Sequence, residues 1–236
     1  GLCTKLPLGP VQSHMIQSAH KIIVIGPAWV GDMVMSQSLY RELKQQQPDC
    51  IIDVLAPAWS RPLLERMPEV RRAIDIPLGH GKLGLGARYD LGKSLRSERY
   101  DQAILLPNSF KSALVPFFAG IPRRTGWRGE MRYLLLNDLR ALDKTRYPLM
   151  VQRFVALAHG NNAAAPKTWL APALTVNQNN RAQAMQRYGI VAGQPDGALC
   201  PGAEFGPAKR WPEQHYATLA QHYAKLNREI MMKNVV

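Results

Sequence analysis

Residues 21–32 read KIIVIGPAWVGD. Four consecutive Ile and Val residues after Lys21, stopped by Gly26-Pro27, have the composition of a strand buried on both faces in a parallel sheet. The apolar period then changes. Met33, Leu39, Tyr40 and Leu43 recur at helical spacing through Asp32–Gln46, and Pro48 closes the segment. A buried strand passing within a few residues into a helix is the opening of an α/β fold.

The alternation continues outward. Ile51–Leu55 is expected as a second strand, Trp59–Met67 as a short helix stopped by Pro68, and Arg72–Ile76 as a third strand. The glycine-rich GHGKLGLG at 79–86 reads as a loop, Tyr89–Arg99 as a helix, and Asp101–Leu106 as a fourth strand ending at Pro107. Ser109 is placed to cap a helix running to Ala119. Arg123–Trp127 follows as a fifth strand and Pro148–His159 as an amphipathic helix. Residues 161–180, rich in Asn, Ala and Pro, read as a linker between a Rossmann-like domain at 21–160 and a second unit at 181–236. In that unit Arg181–Tyr188 and Trp211–Asn227 are expected as helices, Gly197–Cys200 as a strand, and 228–236 as the start of another. Residues 1–20 lack a continuous apolar run and are expected to be a disordered extension.

The chain has 236 residues, long enough to bury roughly 70% of its unfolded surface, so its core needs neither disulfide nor metal. Cys3, Cys50 and Cys200 are scattered, without CxxC or histidine at ligand spacing, which argues against a disulfide framework or a zinc site and for a reducing compartment. The net charge is +13, with +9 over residues 1–160, and implies an anionic partner. No stretch approaches a membrane span. Nucleic acid is not an expected partner, because the sequence has no helix-turn-helix, zinc or RNP pattern.

Three segments carry chemical content. Gly26–Asp32 lies where the first strand hands over to the first helix, the place where open α/β sheets bind ligands. Helix N-terminal N–H groups attract anions, Gly31 permits close approach, and Asp32 is a carboxylate facing the crevice. Two readings of Asp32 stay open at this point, a helix cap and a catalytic carboxylate. GxGxxG and GxxxxGK[ST] are both absent, so dinucleotide and P-loop chemistry are weak readings. The second segment is Pro107–Ser112, where Asn108 and Ser109 suit a polyol and Lys111 an anion. Beside it Arg123, Arg124, Arg128 and Arg132 surround Trp127 with only Glu130 opposing; guanidinium groups suit phosphate or carboxylate, and the indole suits stacking on a sugar or base. A solvated basic face is the alternative. The third segment, Pro201–Pro212, places Gly202, Lys209 and Arg210 in a loop before a helix, a plausible phosphate cradle. No Asp-x-Asp pair occurs, so no metal-bridged diphosphate site and no cofactor is expected.

KIIVIGPAWVGDMVMSQSLYREL, LPNSFKSALVPFFAGIPRRTGWRGEMRYLLLND and PGAEFGPAKRWPEQHY resemble the lipopolysaccharide heptosyltransferases of Gram-negative bacteria, over about residues 21–230. The resemblance implies a GT-B glycosyltransferase, α/β in class. Its Rossmann-like N-terminal domain would hold the acceptor and a second Rossmann-like domain the donor. It implies inverting, metal-independent transfer of L-glycero-D-manno-heptose from ADP-heptose to heptosyl-Kdo2-lipid A, in the cytoplasm with peripheral contact at the inner membrane. By the resemblance Asp32 matches the general base and Lys209 the lysine at the donor diphosphate, with Gly202 and Arg210 beside it. Asn108, Ser109, Lys111, Arg124 and Arg128 would then serve the acceptor. The family's second domain continues further, so residues 181–236 are expected to be only its start, and this chain alone is expected to bind ADP-heptose weakly and turn over little. The runner-up reading is a non-enzymatic module that binds anionic lipopolysaccharide core.

Overall fold

A computed structural model describes residues 19–76, 83–191, 193, 197–200, 202, 207–225 and 230–232. The expected extension, apart from Ala19 and His20, lies outside them, as do residues 79–82 of the glycine-rich loop. The chain separates into two compact units, one up to Thr175 and the other from Val176.

In the first unit β1 (Lys21–Ile25), β2 (Ile51–Ala56), β3 (Val70–Asp75), β4 (Gln102–Leu105), β5 (Arg123–Trp127) and β6 (Asp138–Arg140) form a six-stranded sheet in the order β3-β2-β1-β4-β5-β6. Every pairing in it is parallel. Its helices are α1 (Val30–Gln46), α2 (Arg61–Leu64), α3 (Leu85–Leu95), α4 (Leu114–Phe118) and α5 (Met150–Val155). The run IIVI explains why β1 is central. Ile22 and Val24 pack into one cluster with Met33, Leu39 and Tyr40 of α1, Leu64 of α2 and Phe154 of α5. Ile23 and Ile25 face the opposite cluster with Leu95 of α3 and Leu114 and Val115 of α4. Each such buried aliphatic contributes about 1.5–3 kcal/mol, so the middle of the sheet is scaffold and chemistry is left to its edges and ends. α3 and α4 pack closely because Gly92 has no side chain: a Cβ there would sit 2.6 Å from Phe118 Cβ.

The structure moves several boundaries. The helix expected at 59–67 is a 3₁₀ turn, Ala58–Ser60, followed by one turn of α2. The helix expected from Tyr89 starts earlier, at Leu85, behind Gly84 in the left-handed conformation (φ 51°). The helix after Ser109 begins as a 3₁₀ turn, Phe110–Ala113, and Ser109 makes no side-chain cap. β6 was not expected from the sequence at all. It has one aliphatic residue in three, and its Asp138 and Arg140 are paired with each other at 2.9 Å.

Residues 160–177 have no regular structure. Part of this expected linker is bound to the first unit: Ala173 exchanges two hydrogen bonds with the Gln37 side chain, and Thr175 N–H donates to the Arg66 carbonyl at 2.8 Å. In the second unit α6 (Gln178–Tyr188) starts three residues before Arg181, where Asn177 Oδ1 accepts from Asn180 N–H at 3.0 Å. Then β7 (Gly197–Leu199), α7 (Glu213–Lys225) and β8 (Ile230–Met232) form a βαβ unit with β7 and β8 parallel.

Candidate functional site

β1 is flanked by β2 on one side and β4 on the other, so strand order reverses between β1 and β4. The loops that leave these two strands diverge there and open a crevice at the carboxyl end of the sheet. They start side by side, since Leu106 N–H donates to the Ile25 carbonyl at 3.2 Å. Gly26 is required at this exit because a Cβ would lie 3.0 Å from Met33 Cε and 3.2 Å from both Ala56 and Val54. Above Gly31 the space is open.

Asp32 is the third residue of α1 and partly buried. The cap position is occupied by Trp29, which makes no side-chain cap bond, so the capping reading of Asp32 gives way. Burial raises the Asp32 carboxyl above its ordinary range. It makes no hydrogen bond or ion pair with the described residues. A carboxylate so placed can accept a proton from a hydroxyl in the crevice.

The second loop is held by Arg132, which the sequence places in an anion-binding cluster, and by Glu130, the acid that opposes that cluster. Arg132 is 2% exposed, and its guanidinium donates to the carbonyls of Pro107 (2.8 Å) and Trp127 (2.7 Å), to Ser112 Oγ (3.1 Å) and to Asn108 Oδ1 (3.2 Å). Burial depresses its pKa to about 10. Glu130 adds a second tie: its N–H donates to the Asn108 carbonyl at 3.1 Å and its carboxylate accepts from Phe110 N–H at 2.7 Å. What remains open at this edge is the Asn108 amide nitrogen, the Ser109 hydroxyl, the Lys111 ammonium and the Arg128 guanidinium, none of which bonds to a described side chain or carbonyl. These are two donors or acceptors for a polyol and two cations for an anion.

The other expected groups are used elsewhere. Arg124 donates to the carbonyls of Leu135 (2.7 Å) and Ile121 (2.5 Å) and stacks over Phe117 at 5.6 Å, so it is a structural clasp on β5. Arg123 pairs with Asp138 at 3.0 Å. The indole of Trp127 is in the core, 5% exposed, tilted against Tyr147 at 5.4 Å and donating to the Arg153 carbonyl at 3.0 Å, so it does not face a sugar. The contributions of Arg132 and Glu130 as loop ties were missed. The local excess of arginine was the available signal, but a charge count cannot separate buried guanidinium groups from exposed ones.

In the second unit Gly202, Lys209 and Arg210 lie on the connection from β7 to α7, all three exposed. Lys209 ends a 3₁₀ turn, Pro207–Lys209. Tyr216 of α7 donates to the Cys200 carbonyl at 3.3 Å and packs edge-on to Trp211 at 4.9 Å, which ties the helix start to the strand end. The connection therefore repeats, in the second unit, the relation of Gly26–Asp32 to β1 and α1. Among the described residues, cavities also lie away from these loops. One of about 80 Å³ borders Trp127 and Arg140, and one of about 550 Å³ borders His20, Cys50 and Asp101 at the opposite end of the sheet. Among the described residues no cluster of His, Cys, Asp or Glu could hold a metal ion, and no helix is long and apolar enough to cross a membrane.

A six-stranded parallel sheet followed by a second βαβ unit is the architecture of the GT-B glycosyltransferases. The chain belongs to glycosyltransferase family 9 (heptosyltransferase), whose family model matches residues 88–233. It is 60% identical over 206 residues to lipopolysaccharide heptosyltransferase 2 of Escherichia coli K12, covering 85% of this chain and 59% of that protein. It is 58% identical over 208 residues to lipooligosaccharide heptosyltransferase 2 of Haemophilus influenzae, with the same coverage of 85% and 59%. The solved structure of E. coli ADP-heptose lps heptosyltransferase II superposes with a TM-score of 0.82 at 54% identity, over 90% of this chain and 63% of that one. The chain thus spans about 59% of the length of its curated relatives.

Proposed function

We propose that this chain forms the acceptor side and part of the donor side of an inverting heptosyltransferase. The reaction moves heptose from ADP-heptose to the first heptose of the lipopolysaccharide inner core, heptosyl-Kdo2-lipid A. The observation that carries the reading is Asp32: a partly buried, unpartnered carboxylate at the switch point of the sheet, in a chain of this family.

In this reading Asp32 takes the proton from the acceptor hydroxyl as its oxygen attacks the anomeric carbon. The bond from that carbon to the diphosphate breaks, and ADP leaves with the electron pair. Lys209 and Arg210, with backbone N–H groups near Gly202, stabilise the developing negative charge on the diphosphate, so the chemistry can proceed without a metal. Asn108 and Ser109 orient the acceptor sugar, while Lys111 and Arg128 attract its anionic groups. The protein would work in the cytoplasm, at the inner face of the membrane that holds its lipid acceptor.

The test joins this chain to the remaining segment of the E. coli relative and supplies ADP-heptose with a lipid-free acceptor. Mass spectrometry should show one heptose added and one ADP released per turnover. ADP release without sugar transfer, or neither, would overturn the reading.

A further inference from the structure

Among the described residues of the first unit, the two most exposed large apolar side chains, Leu134 and Met131, stand on the loop between β5 and β6, with Tyr133 beside them. Met131 is 81% exposed, Tyr133 60% and Leu134 90%. The residue between them, Arg132, is 2% exposed. This inverts the usual preference, in which the guanidinium faces water and the apolar neighbours are covered. The loop is not free to relax that inversion. Arg132 is bonded to the loop after β4, the N–H groups of Leu135 and Leu136 both donate to its carbonyl at 3.1 Å, and those two leucines are buried beneath. Burying Arg132 also leaves its Nε without a hydrogen-bond partner. A fold that accepts an unsatisfied buried guanidinium nitrogen to hold three apolar side chains in water is displaying them.

The charge around them identifies the surface they fit. Of the cations in residues 107–136, Arg123 is paired with Asp138 and Arg124 and Arg132 turn inward, which leaves Lys111 and Arg128 to face solvent at this edge, with Glu130 the one acid of the stretch. The Glu130 carboxylate is already engaged by Phe110 N–H. Phe110, 38% exposed, adds an aromatic ring on the neighbouring loop. Apolar and aromatic tips on a positively charged edge match the headgroup region of an anionic bilayer, where Tyr sits at the boundary and Leu and Met enter the acyl layer.

We propose that the tied loops 107–112 and 128–136 dock the protein onto an anionic phospholipid bilayer. Met131, Tyr133 and Leu134 insert, and the field of Lys111 and Arg128 draws this edge to the surface. It rests on the functional reading only for its purpose, which is to turn the crevice beside Asp32 toward a membrane-held acceptor.

The test is sedimentation of the 236-residue chain with vesicles of phosphatidylcholine, with or without about one-third phosphatidylglycerol. The chain should bind the anionic vesicles, more weakly as salt rises, and bind phosphatidylcholine alone poorly. The double variant M131D/L134D should lose about tenfold or more in vesicle affinity with unchanged circular dichroism, since both side chains already face water. The milder M131S/L134S should lose less, in the same direction. A fluorophore on Leu134→Cys, with Cys3 and Cys200 replaced by Ser, should shift to the blue on anionic vesicles. Absence of wild-type binding, binding of M131D/L134D within about twofold of wild type, or an unshifted fluorophore would each overturn the proposal. Transfer to the lipid-free acceptor separates the two readings: if it proceeds while vesicle binding fails, only the docking surface falls, and if vesicles bind without transfer, only the functional reading falls.

Discussion

Arg132 Nη2 donates to Asn108 Oδ1 across 3.2 Å, joining the loop that follows β5 to the loop that follows β4. The same guanidinium satisfies the carbonyls of Pro107 and Trp127, which would otherwise be left without it at the base of the crevice. Arg132→Ala removes every one of these bonds at once. It should destabilise the first unit by about 3–5 kcal/mol. Arg132→Lys keeps one donor group but not the planar fork, and should recover less than half of that loss. Urea denaturation followed by circular dichroism measures both; an Arg132→Ala loss near zero would mean that water replaces the guanidinium without cost.

Gly129 makes the same junction from the backbone side. A Cβ at this position would lie 2.3 Å from the Asn108 carbonyl oxygen and 2.8 Å from Asn108 Cβ, and a carbonyl within a tied loop cannot swing away as a side-chain tip can. Gly129→Ala should therefore push the two loops apart and cost about 1–3 kcal/mol. In the joined enzyme it should raise the KM for acceptor more than it lowers kcat, because Asn108 and Ser109 shift while Asp32 does not. An acceptor KM equal to wild type would show that the loops are not part of the acceptor site.

The sheet was legible in the sequence because β1, β2 and β4 are apolar runs ended by Gly or Pro, and their bounds were read to within about two residues. β6 was not, because Asp-Leu-Arg has no apolar period; its strand geometry comes from pairing with Thr125–Trp127. Asp32 was legible as a first-turn residue of the helix that follows β1, while its role stayed open between cap and catalytic carboxylate. The arginine cluster was legible only as charge. Which guanidinium reaches solvent depends on carbonyls donated by loops distant in sequence, so Arg124 and Arg132 turn inward to Leu135, Ile121, Pro107 and Trp127 while Arg128 stays outside.

The edge strand carries a pH-dependent contribution to stability. Burial pushes the Asp138 carboxyl up, but hydrogen bonds from Arg140, Arg123 and Thr125 more than offset it and hold the pKa at about 2. The folded state thus releases this proton more readily than the unfolded chain. The stabilisation is fully present above the ordinary aspartate range and is lost as pH falls from there through about 2. Arg123 is 53% exposed and its share is screened by solvent, so the effect is about 1–2 kcal/mol. Asp138→Asn should lower stability at neutral pH and flatten the acid limb of a stability-versus-pH curve. Parallel curves for wild type and variant between about pH 2 and 4 would assign the acid sensitivity to other carboxylates.

The general-base role of Asp32 makes a prediction with two independent readouts. Asp32→Asn keeps the size and polarity of the side chain and sits at a helix start, where it forgoes only about 0.3–1 kcal/mol of favourable interaction with the helix dipole. The fold should therefore survive, while turnover in the joined enzyme falls by about 10² to 10⁴. Because burial raises the Asp32 carboxyl, the acid limb of kcat/KM in the wild-type enzyme should lie above the ordinary aspartate range, with activity lost as pH falls through it and the carboxylate becomes protonated. The residual activity of Asp32→Asn should lack that limb. A variant that is slow yet keeps the same acid limb would place the titrating base elsewhere and leave Asp32 with an orienting role alone. A variant with wild-type turnover would remove it from the chemistry altogether.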